Sequence, residues 1–184
     1  MAEDVLTPFA TELFEEAKRF LEKAKETQDK EGHKAFLNAS LLLGVSALEA
    51  HINAVADEMF DREKNHLNLL EQSILLEKDY TFVKGEFKLT KNLKIYRLVE
   101  RIEFILFKFS GKTIDTNSVW WSKFCNGVDL RNYLVHPKSK QDITYEQVKS
   151  ALEGILGLLD AMYKALYKQR FPALGRRLDS RMQF

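Results

Sequence analysis

The segment from Asp129 to Lys138, Asp-Leu-Arg-Asn-Tyr-Leu-Val-His-Pro-Lys, holds the residue types in this chain that best suit phosphate chemistry. Arg131 carries a planar guanidinium that stays charged and matches the geometry of a phosphate group. His136 carries an imidazole, the side-chain type that most often serves as general acid or general base. The two side chains together predict proton transfer at a phosphate held by a fixed positive charge.

The position of the two residues at a helix end decides whether they can act together. On a continuous helix, a separation of five residues would place the two side chains about 140° apart. Pro137 disfavours helical geometry at the residue before it, which is His136. The imidazole can therefore turn back towards the face of Arg131, while Lys138 and Lys140 add positive charge just beyond the helix.

Other catalytic signatures are missing from the sequence. It has no glycine-rich phosphate loop and no GxSxG, HExxH or CxxC motif, and no cofactor or metal is expected. The single cysteine, Cys125, lies beside Phe124 in an apolar helix, which favours a small core residue over a nucleophile. Carboxylate pairs such as Glu15 and Glu16 are predicted to be solvated helix surface.

Three further histidines have simpler interpretations than His136. His33 follows a glycine at a predicted helix start and His66 lies in a polar connection, so both are predicted at the surface. His51 lies in the most apolar helix, where a hydrogen-bonded structural role is favoured.

The periodicity of apolar residues predicts the helices that must position Arg131 and His136. Five or six helices with short connections indicate an all-α, up-and-down bundle. Residues 79–90 could form a small β-hairpin or an irregular loop. The predicted helices run over about 8–30 (ended by Gly32), 33–60, 67–75, 95–109 (ended by Gly111), 115–136 (ended by Pro137) and 145–168 (begun by a capping box from Thr144 to Gln147).

The second helix is apolar around most of its circumference, yet it carries one polar line. Asn38, Ser46, Glu49 and Asn53 recur at helical spacing. Polar side chains in a core helix are costly unless they have partners or line a cleft. The line is predicted either to face a site or to be satisfied by neighbouring helices.

Composition bounds the class of protein. The chain has 184 residues, of which 45% are hydrophobic, and its net charge is +1. We expect one helical domain over residues 1–170 and a basic tail over 171–184, which could bind a polyanion or simply be a solvated helix end. One cysteine and the lack of a signal peptide or a long apolar span predict a cytoplasmic location without a membrane partner.

The stretch Arg131-Asn132-Tyr-Leu-Val-His136 resembles the signature of the HEPN superfamily. That signature is an arginine, four to six residues and a histidine, with a polar residue, often asparagine, after the arginine. In the family the motif lies at the end of the penultimate long helix of an α-bundle, as it does here. The likeness in architecture covers roughly residues 9–168.

The resemblance implies a metal-independent endoribonuclease in which two copies form a two-fold dimer and complete one basic cleft. The ribose 2′-OH would attack the adjacent phosphate, with His136 as general base or acid and Arg131 stabilising the phosphoryl charge. Asn132 would orient His136 or bind phosphate, and Glu49 would face the site from the second helix. Lys138, Lys140 and Ser46 are weaker candidates for contact with single-stranded or loop RNA. The resemblance is also compatible with a toxin or anti-phage role, with an antitoxin as partner.

Some HEPN toxins carry a modified tyrosine two residues after the histidine, where this chain has Lys138. Control by that modification is therefore not expected. Other HEPN-like domains are non-catalytic nucleotide-binding, RNA-binding or dimerisation modules, and an unrelated bundle could carry the same spacing by chance. Burial separates the first two alternatives: a catalytic pair of Arg131 and His136 must be open to a cleft, whereas a structural pair would be sealed in the bundle.

Overall fold

A computed structural model describes residues 8–137 and 142–184. The described residues form an all-α structure with one two-stranded sheet. The chain divides into two compact units, one containing His51–Ile114 and the other containing residues 8–50 with Asp115–Phe184. The elements are α1 (Pro8–Glu26), α2 (Lys30–Glu63), α3 (Leu69–Leu76), β1 (Lys78–Val83), β2 (Glu86–Leu93), α4 (Leu98–Ser110), α5 (Val119–Val135) and α6 (Tyr145–Tyr167), followed by the 3₁₀ turn Pro172–Arg176.

The break between α1 and α2 lies earlier than the sequence predicted. Gly32 was expected to end the first helix, but it lies in the first turn of α2. Its backbone N–H donates to the Asp29 carboxylate at 2.6 Å, and the Asp29 backbone N–H donates to the Thr27 hydroxyl at 3.2 Å. An aspartate that accepts from the backbone three residues later begins a helix, and this outweighs the tendency of glycine to end one.

Close packing of α5 on α6 sets the position of the motif helix. A Cβ added at Gly154 would lie 2.4 Å from the backbone nitrogen of Phe124, and one added at Gly157 would lie 2.3 Å from the Cβ of Trp120. Glycine therefore allows the α6 backbone to approach α5 more closely than any side chain would permit. Trp120 and Trp121 are half-buried and lie edge to face with ring centroids 6.1 Å apart.

The ends of the last helices follow the sequence signals. Thr144 and Gln147 form the predicted capping box, with the Gln147 N–H donating to the Thr144 hydroxyl at 3.3 Å and the Thr144 N–H donating to the Gln147 side chain at 2.9 Å. Gly111 ends α4 with φ 69°, a value that glycine adopts without steric cost. Most apolar residues of α6 between Val148 and Ala165 are buried.

The open question at residues 79–90 is resolved as a β-hairpin. β1 and β2 pair antiparallel, with Val83 opposite Glu86 and Phe82 opposite Phe87. Lys84 and Gly85 form the turn with φ 52° and 88°. Two successive residues with positive φ match the right-handed twist of the two strands, which accounts for the tight connection.

The C-terminal segment contacts α1, and one sequence expectation about α1 was wrong. Glu15 is 2% exposed and is not part of a solvated surface. Its carboxylate accepts from Lys18 Nζ at 3.0 Å, from Arg176 Nη2 at 3.1 Å and from the Arg181 backbone N–H at 2.7 Å. Burial by itself raises the pKa of Glu15, but these hydrogen bonds and cations outweigh it and lower the pKa below its usual value. The division of the chain near residue 170 stays a prediction.

Helix α2 is long and apolar enough to cross a bilayer by length and composition alone. The sequence expectation was that Glu49 and His51 would interrupt any such span. Half of the most apolar window of the helix is buried inside the structure. Core helices of soluble proteins meet the same criteria, so this feature is weak evidence for a membrane span.

Candidate active site at the end of helix α5

Helix α5 carries the arginine and ends just before the histidine. His136 follows the last helical residue with φ −125° and ψ 61°, outside helical geometry. This is the departure expected for a residue that precedes Pro137. The His136 backbone N–H still donates to the carbonyl of Asn132 at 2.9 Å, which ties the position of His136 to the last turn of the helix.

Arg131 reaches across to α2. Its Nη2 atom donates to Oε1 of Glu49 at 3.4 Å, and the two side chains are 28% and 42% exposed respectively. The pair is open to solvent, so its contribution to stability is expected to be small. Glu49, expected from the resemblance to face the site from the second helix, therefore contacts Arg131, while its role at the site stays a prediction.

Asn132 contacts both members of the motif. Its side-chain Oδ1 accepts from Arg131 Nη1 at 3.1 Å, and its carbonyl accepts from the His136 backbone at 2.9 Å. The asparagine side chain is exposed. It therefore positions the guanidinium directly and the imidazole only through the backbone.

His136 is exposed. Within residues 8–137 and 142–184, no hydrogen bond joins its imidazole to Arg131 or to Glu49. The backbone departure predicted from Pro137 is therefore present, whereas no hydrogen bond brings the ring to Arg131 within the described residues.

The remaining predicted site residues are dispersed. Ser46 lies one turn before Glu49 on α2 and is half-buried. Asn53, from the same polar line, accepts from Arg101 Nη1 at 2.7 Å in the other compact unit and takes no part in the site. Lys138 and Lys140 lie outside the described residues.

A surface cleft between α5 and α6 was not anticipated from the sequence. Its volume is about 610 Å³, and none of Arg131, Asn132 or His136 lines it. Its α5 side shows polar residues at spacings of three and four, which is the signal that could have revealed it. The lining residues are Lys123, Asn126, Asp129, Leu130, Tyr133, Glu146, Gln147 and Ser150.

Other chemistry finds little support in the described part of the chain. No group of three or more His, Cys, Asp or Glu side chains there could hold a metal ion. Burial, with the charge of Asp129, raises the pKa of the Cys125 thiol, which disfavours the reactive thiolate. Burial lowers the pKa of His51 to about 4, so this histidine, 2% exposed, is neutral at physiological pH.

Comparison with known protein families supports the assignment drawn from the motif and the helices. Residues 10–168 match the family described as RiboL-PSP-HEPN. Searches of curated proteins and of solved structures return no match. The family match covers most of the chain and includes the whole of α5 and its Arg131–His136 motif, and the chain therefore belongs to the RiboL-PSP-HEPN family of the HEPN superfamily.

Proposed function

We propose that this protein is a metal-independent endoribonuclease that cleaves RNA by transesterification. The 2′-oxygen of a ribose forms a bond to the adjacent phosphorus while the bond from phosphorus to the 5′-oxygen breaks. The products are a 2′,3′-cyclic phosphate and a 5′-hydroxyl. The nucleophile is supplied by the substrate, so DNA, which lacks the 2′-hydroxyl, is not cut.

His136 performs the proton transfers. One imidazole removes the proton of the 2′-hydroxyl as the bond to phosphorus forms, and a second donates a proton to the departing 5′-oxygen. One chain contributes a single motif, so the second imidazole is the partner subunit's His136 in a two-fold homodimer. The requirement for two such groups is the chemical reason for proposing a composite site.

Arg131 neutralises the charge that builds on the non-bridging phosphoryl oxygens. Glu49 and Asn132 act as positioning residues because both hold the guanidinium, at 3.4 and 3.1 Å. Ser46, together with Lys138 and Lys140, is proposed to contact the RNA backbone near the motif.

The observation that carries the proposal is the exposure of the motif. The Arg131 side chain is 28% exposed and His136 is exposed, so neither is sealed in a core where a purely structural pair would lie. An arginine held by a carboxylate at an open helix end, with an exposed histidine five residues on, suits capture of a phosphodiester. Membership of a HEPN family supports an RNA-related role.

The test is cleavage of a mixed RNA pool by the purified protein in excess EDTA, beside Arg131→Ala and His136→Ala variants. Lys123→Ala, which removes a half-buried cation of α5 that lines the neighbouring cleft, is the matched control. We expect wild type and control to leave cyclic-phosphate ends and both motif variants to lose at least about a hundredfold in rate. Cleavage that survives in both motif variants would place the chemistry elsewhere.

The second candidate function is a non-catalytic module that binds RNA or nucleotides, or that dimerises. It is supported by the family match, which shows a HEPN domain without showing cleavage. A folded dimer that binds RNA and leaves it intact in the same assay would support this alternative. We propose a cytoplasmic location for either function, and a toxin or anti-phage role with an antitoxin for the nuclease.

A further inference from the structure

One face of the β-hairpin carries exposed aromatic rings. Phe82 lies opposite Phe87 in the strand register, so both side chains project from the same face, and Tyr80, two residues before Phe82, shares it. Phe82 and Phe87 are 62% and 61% exposed. Contiguous exposed apolar surface of this kind often marks an interaction site. We call the surface formed by these three residues the aromatic face.

The rings of the aromatic face are close enough to act as one platform. The ring centroids of Phe82 and Phe87 are 5.0 Å apart, and those of Tyr80 and Phe87 are 6.3 Å apart. A cavity of about 440 Å³ adjoins them, and Leu70 of α3, 55% exposed, extends the apolar surface. The cavity is lined by Asn68, Leu69, Leu70, Tyr80 and Phe87.

Positive charge is concentrated in the same segment. Residues 78–97 contain six Lys or Arg side chains and only two Asp or Glu side chains. The rest of the chain contains 22 Lys or Arg and 25 Asp or Glu, so it has no such excess of positive charge. Lys94 Nζ lies 4.4 Å from the centroid of the Tyr80 ring, on the aromatic face itself. Lys84 occupies the turn, and the Lys88 charge is offset by Glu86 at 3.0 Å. The six cations are Lys78, Lys84, Lys88, Lys91, Lys94 and Arg97.

We propose that the aromatic face binds single-stranded RNA. Bases stack on Phe82 and Phe87, and the neighbouring lysines contact the phosphates. Exposed aromatic rings beside lysines are the combination by which proteins bind single strands without reading their sequence. A double strand keeps its bases stacked inside and offers no free ring face. Apolar surface alone would be enough to bind a protein partner. The excess of positive charge beside the rings favours a polyanion instead.

The choice of RNA rests on the proposed function, but binding at the hairpin does not depend on Arg131 or His136. The test therefore uses the full chain carrying His136→Ala, so that the probe is not cut. The probe is a fluorescein-labelled single-stranded RNA of about 15 nucleotides, the upper range for one binding module. Its dissociation constant is measured by fluorescence anisotropy.

The informative variant is Phe82→Leu combined with Phe87→Leu, which keeps the apolar surface but removes the rings. We expect the dissociation constant to rise about tenfold or more, because each base stacked on an aromatic ring contributes substantially to the free energy of binding. The matched control is Val83→Ala, on the opposite face of the hairpin and 43% exposed, which leaves binding unchanged. The logarithm of the binding constant falls linearly with the logarithm of the salt concentration, and the slope reports the number of phosphate contacts. In a variant carrying both Lys84→Gln and Lys91→Gln, this slope is expected to fall by an amount that corresponds to about one to two phosphate contacts.

Unchanged affinity in the double leucine variant would overturn the proposal, and so would equal affinity for a duplex of the same sequence. If sedimentation shows that wild type self-associates through Phe82 and Phe87 while RNA binding is indifferent to them, the face is a protein contact and the proposal is wrong. Both phenylalanines are exposed, so the variants are expected to fold, which circular dichroism checks.

The outcomes for this site and for the ribonuclease are separable. Wild-type protein that binds the probe through the hairpin and never cuts it supports the aromatic face and contradicts the nuclease. Protein that cuts RNA while the leucine variant binds as tightly as wild type supports the nuclease and contradicts the aromatic face.

Discussion

Nη2 of Arg131, on α5, lies 3.4 Å from Oε1 of Glu49, on α2. These residues are 82 positions apart in the chain, and the contact joins the motif helix to the polar line of the apolar helix. The pair is partly solvated, so its main effect is on the orientation of the guanidinium and only weakly on stability. This relationship leads to the first prediction.

Replacing Glu49 by Gln is expected to lower kcat for RNA cleavage about tenfold while leaving KM nearly unchanged, because a misplaced guanidinium stabilises the transition state less well. The matched control is Glu153→Gln, which removes the carboxylate partner of Lys123 between α6 and α5. It should leave kcat unaltered. An equal fall in kcat for both variants would indicate a general structural effect, and partial rescue by Glu49→Asp would support positioning.

The buried histidine of α2 predicts a pH dependence of stability. In the folded protein the pKa of His51 is lowered from 6.5 to about 4 by burial, so the unfolded chain binds the extra proton first as pH falls. Stability is then fully present above about pH 6.5 and is lost as pH falls towards 4, by roughly 3 kcal/mol.

Urea unfolding of wild type and His51→Gln at a series of pH values between 4 and 7 measures this loss. The variant should show a flatter dependence across that window, since the carboxylates common to both proteins cancel in the difference. Parallel curves for the two proteins would show that His51 does not titrate as its burial implies.

The carboxylate of Glu15 predicts a large loss of stability on truncation. Glu15→Ala leaves Lys18, whose side chain is 0% exposed, without its ion-pair partner and frees the segment that contains Arg176 and Arg181. We expect a loss of about 3 to 5 kcal/mol in the free energy of unfolding, as for other broken buried pairs.

The control for this loss is Glu12→Ala, one turn earlier on the same helix and exposed. It is expected to change the free energy of unfolding by less than about 0.5 kcal/mol. Chemical denaturation measures both variants. Similar values for the two substitutions would show that the buried carboxylate does not hold the C-terminal segment.

The contact between α5 and α6 predicts that Gly154 tolerates no side chain. In Gly154→Ala the new Cβ would meet the Phe124 backbone nitrogen at 2.4 Å, so the helices must separate, at a cost of about 1 to 3 kcal/mol. This exceeds the gain of up to about 1 kcal/mol in helix propensity. Gly175→Ala, where a Cβ would meet nothing within 4 Å, should be close to neutral in thermal melts. A neutral Gly154→Ala would mean that the two helices pack less tightly than described.

Local signals in the sequence were sufficient to predict the helices and the position at which the motif helix α5 ends. Gly111, Pro137 and the capping box from Thr144 to Gln147 each act within one turn of the backbone, so their effect can be read without knowledge of the fold. Gly32 misled for a related reason, because a side-chain hydrogen bond to Asp29 competes with the conformational preference of glycine. The sequence did not decide between a hairpin and an irregular loop at residues 79–90, because the alternation of apolar and polar residues there is short. The pairing of β1 with β2 in the structure decides it.

The sequence by itself determined the residue types of the site, Arg131, Asn132 and His136, and their place at a helix end, because helix termination by proline is a local steric effect. Only the tertiary structure decided which partners they meet. Contacts between residues far apart in the chain depend on how helices pack, so the sequence could suggest Glu49 at the site but not its partner, and only the packing of α2 and α5 brings it to Arg131. For the same reason Glu15, polar and expected in water, is buried beneath the C-terminal segment, which adds Arg176 and the Arg181 backbone N–H to the charge of Lys18 and so makes the burial tolerable.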